Sequence, residues 1–208
     1  MIITIVTHRE NKPLLVQCLL SLIKCKYPVV VVVNDAENTP PGDIKWYTDL
    51  KVKTILNMND GFELGALKAA MEANPEEEDF FLMQDSCKVL DLKLFDVVAE
   101  NPNSVSMSNE YLSYLGKYQR KIVNLVPIPP VKTKKESIWN ESHWNKDYIK
   151  ACKGNYTILD PMFGNSWYQG NEYKMIFGKE RQVSINEYLI KYKAVYNAAK
   201  AKEVLNGN

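Results

Sequence analysis

The chain predicts an α/β fold, a mostly parallel sheet flanked by helices, and three observations carry that expectation. Val29–Val33 is an unbroken run of β-branched residues, and such a run belongs to a strand covered on both faces, as in a parallel sheet packed between helices. Short apolar segments of strand length alternate with helical apolar patterns through residues 1–90, the arrangement of β-α units. Each expected strand also ends in polar residues: Thr7-His8-Arg9, Asn34-Asp35, Asn57 to Gly61, and Gln84-Asp85-Ser86. In open parallel sheets, ligands bind at that edge.

Taken in order, Ile2–Val6 reads as the first strand. Asn11 and Pro13 open "KPLLVQCLLSLIKCK", a helix with Leu14, Leu15, Cys18, Leu19, Leu22 and Ile23 on one broad apolar face, stopped by Tyr27-Pro28. Val29–Val33 follows, and then "ENTPPGD" reads as loop from its prolines and glycine. "VKTILN" (52–57) is a third strand, and "GFELGALKAAMEANP" is a helix reaching Asn74. Pro75 and the acidic run Glu76–Asp79 form a solvated turn into the strand "FFLM". The expected order is therefore β-α-β-β-α-β.

The second half is less regular. "KIVNLVPIP" (121–129) reads as a strand entering a proline-terminated loop, and "VKTKKESIWNESHWNKDYIKACKGNY" is basic and aromatic. "SINEYLIKYKAVYNAAKAKEVL" (184–205) fits a C-terminal helix, with Ser184 and Glu187 as a capping box. No repeat or low-complexity tract divides the chain, so one domain spanning 1–208 is expected, with halves at 1–109 and 110–208.

Charge separates those halves. Residues 1–109 carry 10 Lys/Arg and 16 Asp/Glu, residues 110–208 carry 16 and 9, and the formal net charge is +1. The overall balance does not mark a nucleic-acid binder, but a basic second half suits either an anionic acceptor or a solvated surface. Cys18, Cys25, Cys87 and Cys152 form no C-x-x-C pair and no zinc-like spacing, so free thiols in a reducing, cytoplasmic setting are expected. No apolar run is long enough to span a bilayer.

The stretch "FFLMQDSCKVLD" (80–91) raises the question of function. A strand that delivers one carboxylate, Asp85, at its tip suits a metal ion or phosphate, or else an ordinary turn. In order, "THRE", "VVVVVNDAENT", "NMNDGFELGALKAAM" and "FFLMQDS" resemble the nucleotide-binding half of GT-A glycosyltransferases, family 2 most of all, over residues 1–95. The resemblance implies a Rossmann-like GT-A domain and a nucleotide-sugar donor. It places Thr7, His8 and Arg9 in the nucleotide pocket, Asn34 and Asp35 near the base, and Asn59, Gly61 and Gly65 near the ribose and diphosphate. Asp85 matches the last carboxylate of the family's Asp-x-Asp motif, and Met83 stands where the first Asp belongs.

Under that resemblance, Mn²⁺ or Mg²⁺ would balance the leaving diphosphate. Asp85 would be one ligand and His143, in "WNESHWNKDY", another. Gln84 or Ser86 would hold a water or a ribose hydroxyl. Glu63 would bind a sugar hydroxyl or simply complement the helix dipole. An inverting transfer needs a base. Glu172 is favoured over Glu187, which the capping box occupies, and over Asp160. Lys179, Arg181, Lys191 or Lys193 would serve to neutralise diphosphate, and Trp167 and Tyr168 to stack on an acceptor.

The acceptor stays open between a polysaccharide, a lipid-linked sugar, a protein and a polyanion such as modified DNA. The last rests on Lys132, Lys134, Lys135, Lys146, Lys150 and Lys153 near Trp139, Trp144 and Tyr148. Two other readings stand beside the transferase. A sugar nucleotidyltransferase would usually begin with a glycine-rich loop, which "THRENK" lacks. A non-catalytic nucleotide- or carbohydrate-binding module needs no base at all.

Overall fold

The computed structural model describes residues 1–8, 11–58, 61–107, 115–130, 134–159, 174–176, 180–186 and 188–194. Arg9, Asn59, Asp160, Glu172, Glu187, Lys179, Trp167, Tyr168 and Lys132 lie outside these residues.

The chain starts in the middle of its main sheet. β1 (Ile2–Thr7) is followed by α1 (Lys12–Ser21), β2 (Val29–Val33), a 3-10 turn (Ala36–Asn38), α2 (Pro41–Thr48), β3 (Lys53–Leu56), α3 (Phe62–Ala73) and β4 (Asp79–Gln84). β5 (Cys87–Val89), α4 (Lys93–Glu100), β6 (Ser104–Ser106), β7 (Gly116–Gln119), α5 (Arg120–Val123), α6 (Lys134–Ala151) and β8 (Tyr156–Ile158) come next. β9 (Lys174–Ile176), β10 (Glu180–Asn186) and β11 (Leu189–Ala194) follow. The seven-stranded sheet has the order β3-β2-β1-β4-β7-β6-β8. All neighbours are parallel except those of β7, which runs against both β4 and β6. The expected α/β architecture, a mostly parallel sheet flanked by helices, is what forms.

Strand alternation divides the core in two. Ile3, Ile5, Val31, Val33, Phe81 and Met83 pack with α1, α2 and α4 on one face. Ile2, Val6, Val30, Val32, Phe80 and Leu82 pack with α3, α5 and α6 on the other. From β1 the chain therefore winds outward to β3 through α1 and α2. It then crosses to the opposite face through α3 and returns beside β1 as β4. The connections diverge between β1 and β4, and this is where an open α/β sheet leaves a crevice at its C-terminal edge.

β7 fits this sheet because of one glycine. A Cβ on Gly116 would lie 2.2 Å from the Val105 carbonyl oxygen, so any side chain there would push β6 and β7 apart. Its neighbour Lys117 is buried, with Nζ 3.6 Å from Asp79 and bonded to the Asn101 carbonyl. Burial holds the Lys117 pKa below its ordinary value, against the attraction of Asp79.

Three expectations are corrected. "ENTPPGD" is not all loop, because Pro41 begins α2 at a position where its missing N–H costs nothing and its fixed φ suits the helix. Residues 121–129 are not a strand. The strand lies just upstream as β7, and Ile122, Val123 and Val126 have the spacing that packs a short helix turn on α3's face. Residues 184–186 and 189–194 are not helix but strand, in β10 and β11, which pair antiparallel. Their β-branched and aromatic residues suit strands, and β11 pairs antiparallel with β5 in a second sheet of order β5-β11-β10-β9. Residues 195–205 of that expected helix lie outside the described set. Within α1, Ile23 is also misassigned, since it lies beyond the helix and is exposed.

Arg120 holds α3 to the start of β4. Its Nη2 donates to the carbonyls of Met71 (3.0 Å) and Asn74 (2.7 Å), its Nε to that of Glu77 (2.7 Å), and its guanidinium lies over Phe80. Met71 lies in the last turn of α3 and Asn74 is its C-cap, positions where a helix leaves carbonyls without i+4 partners. We expect Arg120→Ala to lower unfolding free energy by about 2–4 kcal/mol in urea titration. Arg120→Lys should recover less than half of the loss, because an ammonium lacks the planar fork.

Candidate functional site

At the C-terminal edge of the main sheet, backbone bonds continue past the strands and bring four tips together. Asn34 N–H donates to Thr7 O (3.0 Å), Asp85 N–H to Val6 O (3.0 Å), and Asn57 N–H to Val33 O (2.9 Å). Ala36 N–H closes the set on Asn57 O at 3.0 Å.

Asp85 sits at the centre and is 4% exposed. Thr7 Oγ1 donates to Asp85 Oδ2 at 2.6 Å, and Asn11 Nδ2 donates to Oδ1 at 3.4 Å. Asn11 occupies the N-cap position of α1 but makes no capping bond with its side chain. It spends its amide on the carboxylate instead. A carboxylate removed from water needs such donors, and hydrogen bonds to a charged acceptor are the stronger kind. The clamp ties β1, β4 and the start of α1 into one unit.

A second cluster sets the start of α3. Buried Asn34 donates through Nδ2 to the Phe62 carbonyl (2.8 Å), while Asn57 Nδ2 donates to Asn34 Oδ1 (2.7 Å). Phe62 has φ of +46°, a left-handed conformation that costs a bulky residue free energy and persists only where its surroundings hold it. Glu63 accepts a bond from Gln84 Nε2, and Ser86 Oγ lies 3.5 Å from Gln84 Oε1. The first turn of α3 is thus fastened to both β2 and β4. Gly61 stands at its N-cap, and Gly65 N–H returns to Gly61 O at 2.8 Å.

Asp35, also with positive φ (+55°), opens the 3-10 turn. Its backbone carbonyl accepts from Thr39 Oγ1 (2.9 Å) and its Oδ1 from Asn38 Nδ2 (2.5 Å). The wall beyond β1 is aromatic. Tyr47 of α2 donates its hydroxyl to the His8 carbonyl at 3.1 Å, and the His8 ring lies 5.2 Å from the Phe62 ring. Lys12 pairs with Asp43 and lies over the rings of Trp46 and Tyr47.

Of the residues expected here, the structure brings Thr7, His8, Asn34, Asp35, Gly61, Glu63, Gln84, Asp85 and Ser86 to this edge, with Gly65 one turn into α3. His143 is placed elsewhere, on the exposed side of α6, its ring stacked 3.8 Å from Trp139. Asn11, Tyr47 and Phe62 were not expected. Asn11 reads in sequence as a helix opener, Tyr47 falls in a stretch with no assigned element, and Phe62 has no local signal.

Among the described residues, the side chains do not make up a divalent-ion site. Both Asp85 oxygens already accept protein hydrogen bonds, and Met83, at the position of the family's first Asp, is fully buried in the core. Among the described residues, no three His, Cys, Asp or Glu side chains gather as a metal-binding group. Two aromatics of the basic stretch are also spoken for. Trp144 and Tyr148 pack against Tyr118 in the core, with Trp144 Nε1 on the Val126 carbonyl and Tyr148 Oη beside Ser104. Trp139 is the exposed member.

No family model matches the chain, and no curated protein does. Solved structures do share its fold. S. aureus TarS (residues 1–349) aligns with a TM-score of 0.52 at 14% identity, over 76% of this chain and 57% of TarS. The Aq1419 protein of Aquifex aeolicus VF5 aligns at 0.51 and 11% identity, over 84% of this chain and 94% of its own. A candidate glucose-1-phosphate thymidylyltransferase from Bacillus anthracis, solved with a sucrose, aligns at 0.53 and 12% identity, over 86% of this chain and 98% of its own. This chain spans little more than half of TarS. The likeness is one of fold, an α/β sheet flanked by helices. Among the described residues, no helix is long and apolar enough to cross a membrane.

Tyr47 offers a spectroscopic handle on the edge. Burial, and then the nearby Asp85 charge, push its phenol up to about 12, while the Thr7 hydroxyl works the other way. The folded pKa exceeds the unfolded value of about 10, so the native state holds the proton more tightly. Its contribution to stability is complete below pH 10 and is lost as pH rises through 10 to 12. In an alkaline unfolding series, Tyr47→Phe should lose about 0.5–1.5 kcal/mol at neutral pH with the His8 bond. The gap to wild type should then close across that window.

Proposed function

We propose that this chain binds a nucleotide-sugar at the C-terminal edge of its main sheet and transfers the sugar to an acceptor hydroxyl, as a glycosyltransferase. One observation carries the reading. The buried Thr7–Asp85–Asn11 clamp and the Asn34–Asn57 pair preorganise the loops at the switch point between β1 and β4, where α/β sheets bind nucleotides. The resemblance over residues 1–95 and the shared fold support it.

In this reading His8, Phe62 and Asp35 line the nucleoside side of the edge. The first turn of α3, opened by Gly61, presents backbone N–H groups and the positive end of the helix dipole to the diphosphate. Asp85 and Asn34 are positioning residues, because their side chains are occupied in holding the tips. In transfer, the acceptor oxygen forms a bond to the anomeric carbon and the bond from that carbon to the diphosphate oxygen breaks. The nucleoside diphosphate leaves with the electron pair, and the acceptor proton passes to a carboxylate base, for which Glu172 is the proposed residue. The described side chains do not fit Mn²⁺ or Mg²⁺, so no step is routed through metal.

A second reading, sugar nucleotidyl transfer, is favoured by the likeness to the candidate thymidylyltransferase across nearly that whole chain. The products distinguish the two. Glycosyl transfer or donor hydrolysis releases nucleoside diphosphate from UDP-, GDP- and dTDP-sugars and CMP from a CMP-sugar, whereas nucleotidyl transfer from a sugar phosphate and a nucleoside triphosphate releases pyrophosphate.

The test is thermal unfolding against UDP-, GDP-, dTDP- and CMP-sugars, with Mn²⁺ or EDTA, followed by product analysis. One donor at about 100 times its dissociation constant should stabilise the fold by about 2.7 kcal/mol. That stabilisation should persist in EDTA, and diphosphate release should fall at least about tenfold in Glu172→Gln. Pyrophosphate release would replace this reading with the second, and binding without turnover would leave a binding module. Failure to bind any donor would remove the nucleotide-sugar assignment.

A further inference from the structure

We propose, resting on the nucleotide-sugar reading above, that Glu63 selects the donor by accepting a hydrogen bond from a hydroxyl of the transferred sugar. Strand alternation divides the tip of β4 between two roles, because successive side chains point to opposite faces of a sheet. Asp85 goes with Met83 to the α1 face, where Asn11 reaches it, and Gln84 goes with Leu82 to the α3 face. There Gln84 Nε2 donates to Glu63 Oε1, and Ser86 Oγ lies 3.5 Å from the oxygen of the same amide. An amide with its oxygen toward a hydroxyl and its nitrogen toward a carboxylate has one orientation. Glu63 is thus held from β4, while its neighbour Phe62 is held from β2 by the bond from Asn34 to the Phe62 carbonyl (2.8 Å). A group fixed from both sides loses little further freedom when a ligand binds.

The unused oxygen of Glu63 selects its partner. The residue is half-buried, and among the described residues nothing donates to Oε2. Asp85, by contrast, accepts on both oxygens and is buried. A carboxylate only accepts, so a ligand atom seated at Oε2 must carry a hydrogen. A diphosphate carries none and has the same sign of charge, whereas sugar hydroxyls are donors. In the proposed reading the nucleoside lies toward β1 and β2, beside His8, Asp35 and Phe62. Glu63 reaches the other way, to the tip of β4, so the hydroxyl belongs to the transferred sugar and not to the ribose. A site built to bond one hydroxyl discriminates strongly against analogues that lack it.

The test is titration calorimetry with matched ligands: UDP against UDP-glucose, UDP-galactose and UDP-N-acetylglucosamine, GDP against GDP-mannose, and dTDP against dTDP-glucose. In wild type, one nucleotide-sugar should bind more tightly than its nucleoside diphosphate. In Glu63→Ala that gain should fall at least about tenfold, with affinity for the nucleoside diphosphate within about twofold of wild type. Glu63→Gln keeps the side-chain length and the bond to Gln84 but not the charge, and should lose part of the gain. It decides the matter if the unfolding curve of the alanine variant departs from wild type. Among deoxyfluoro analogues of the same sugar, one should bind wild type about tenfold more weakly than the parent and bind Glu63→Ala as well as the parent does. Equal losses for nucleoside diphosphate and nucleotide-sugar would make Glu63 a purely structural residue and overturn the proposal. An unchanged gain in both variants, or a wild type that gains nothing from the sugar, would overturn it too. Binding of no nucleotide at all would remove the nucleotide-sugar reading, and this proposal with it.

Discussion

The hydrogen bond from Thr7 to the buried carboxylate of Asp85 is the constraint on which the functional edge depends. It joins two strands that are neighbours in space and 78 residues apart in sequence. A carboxylate that is only 4% exposed needs donors on its oxygens, and the chain provides them from β1 and from the N-cap of α1. Once that unit is set, the tip of β2 is placed by its backbone bond to Thr7. Through Asn34, the start of α3 is placed as well. The left-handed Phe62 and Asp35 are held by these contacts, so the strain they carry is offset by the surrounding network.

The same geometry changes what Asp85 is for. At a strand tip in sequence, a lone carboxylate beside a missing partner reads as a weakened metal ligand. In the fold it accepts from Thr7 and Asn11, and its side chain is thereby engaged in joining the strand tips. The edge is built from hydrogen-bonded amides and a helix N-terminus. In the proposed reading, such fixed dipoles would meet a diphosphate with little reorganisation.

Much of the first half was legible because its periods are unambiguous. Val29–Val33 admits only a doubly covered strand, and the small-residue pattern of 62–73 admits only a helix packed closely on the sheet. α2 was hidden because prolines and glycine that usually mark a loop here begin a helix. The β10–β11 pair was hidden because Ile185, Tyr188, Leu189 and Tyr192 satisfy a helical spacing as well as a strand preference. Pairing with the distant β5, Leu189 opposite Val89, settles the matter, and no local window contains that partner. The site shows the same division. Asp85, Thr7, Asn34 and Glu63 stood out as polar strand ends or helix starts. Which of them bond to one another was not legible, nor was Asn11 as a partner of Asp85, because residue type at one position says nothing about which distant group will reach it.

The central claim is that Asp85 works by holding Thr7, and a double-mutant cycle measures this directly. Unfolding free energies of wild type, Thr7→Val, Asp85→Asn and the double variant, taken in urea without metal, give the coupling between the two side chains. The account predicts a coupling of about 1.5–3 kcal/mol, as for a buried hydrogen bond to a charged group. Additive effects, within about 0.5 kcal/mol, would contradict it and return Asp85 to the role of a ligand-binding carboxylate.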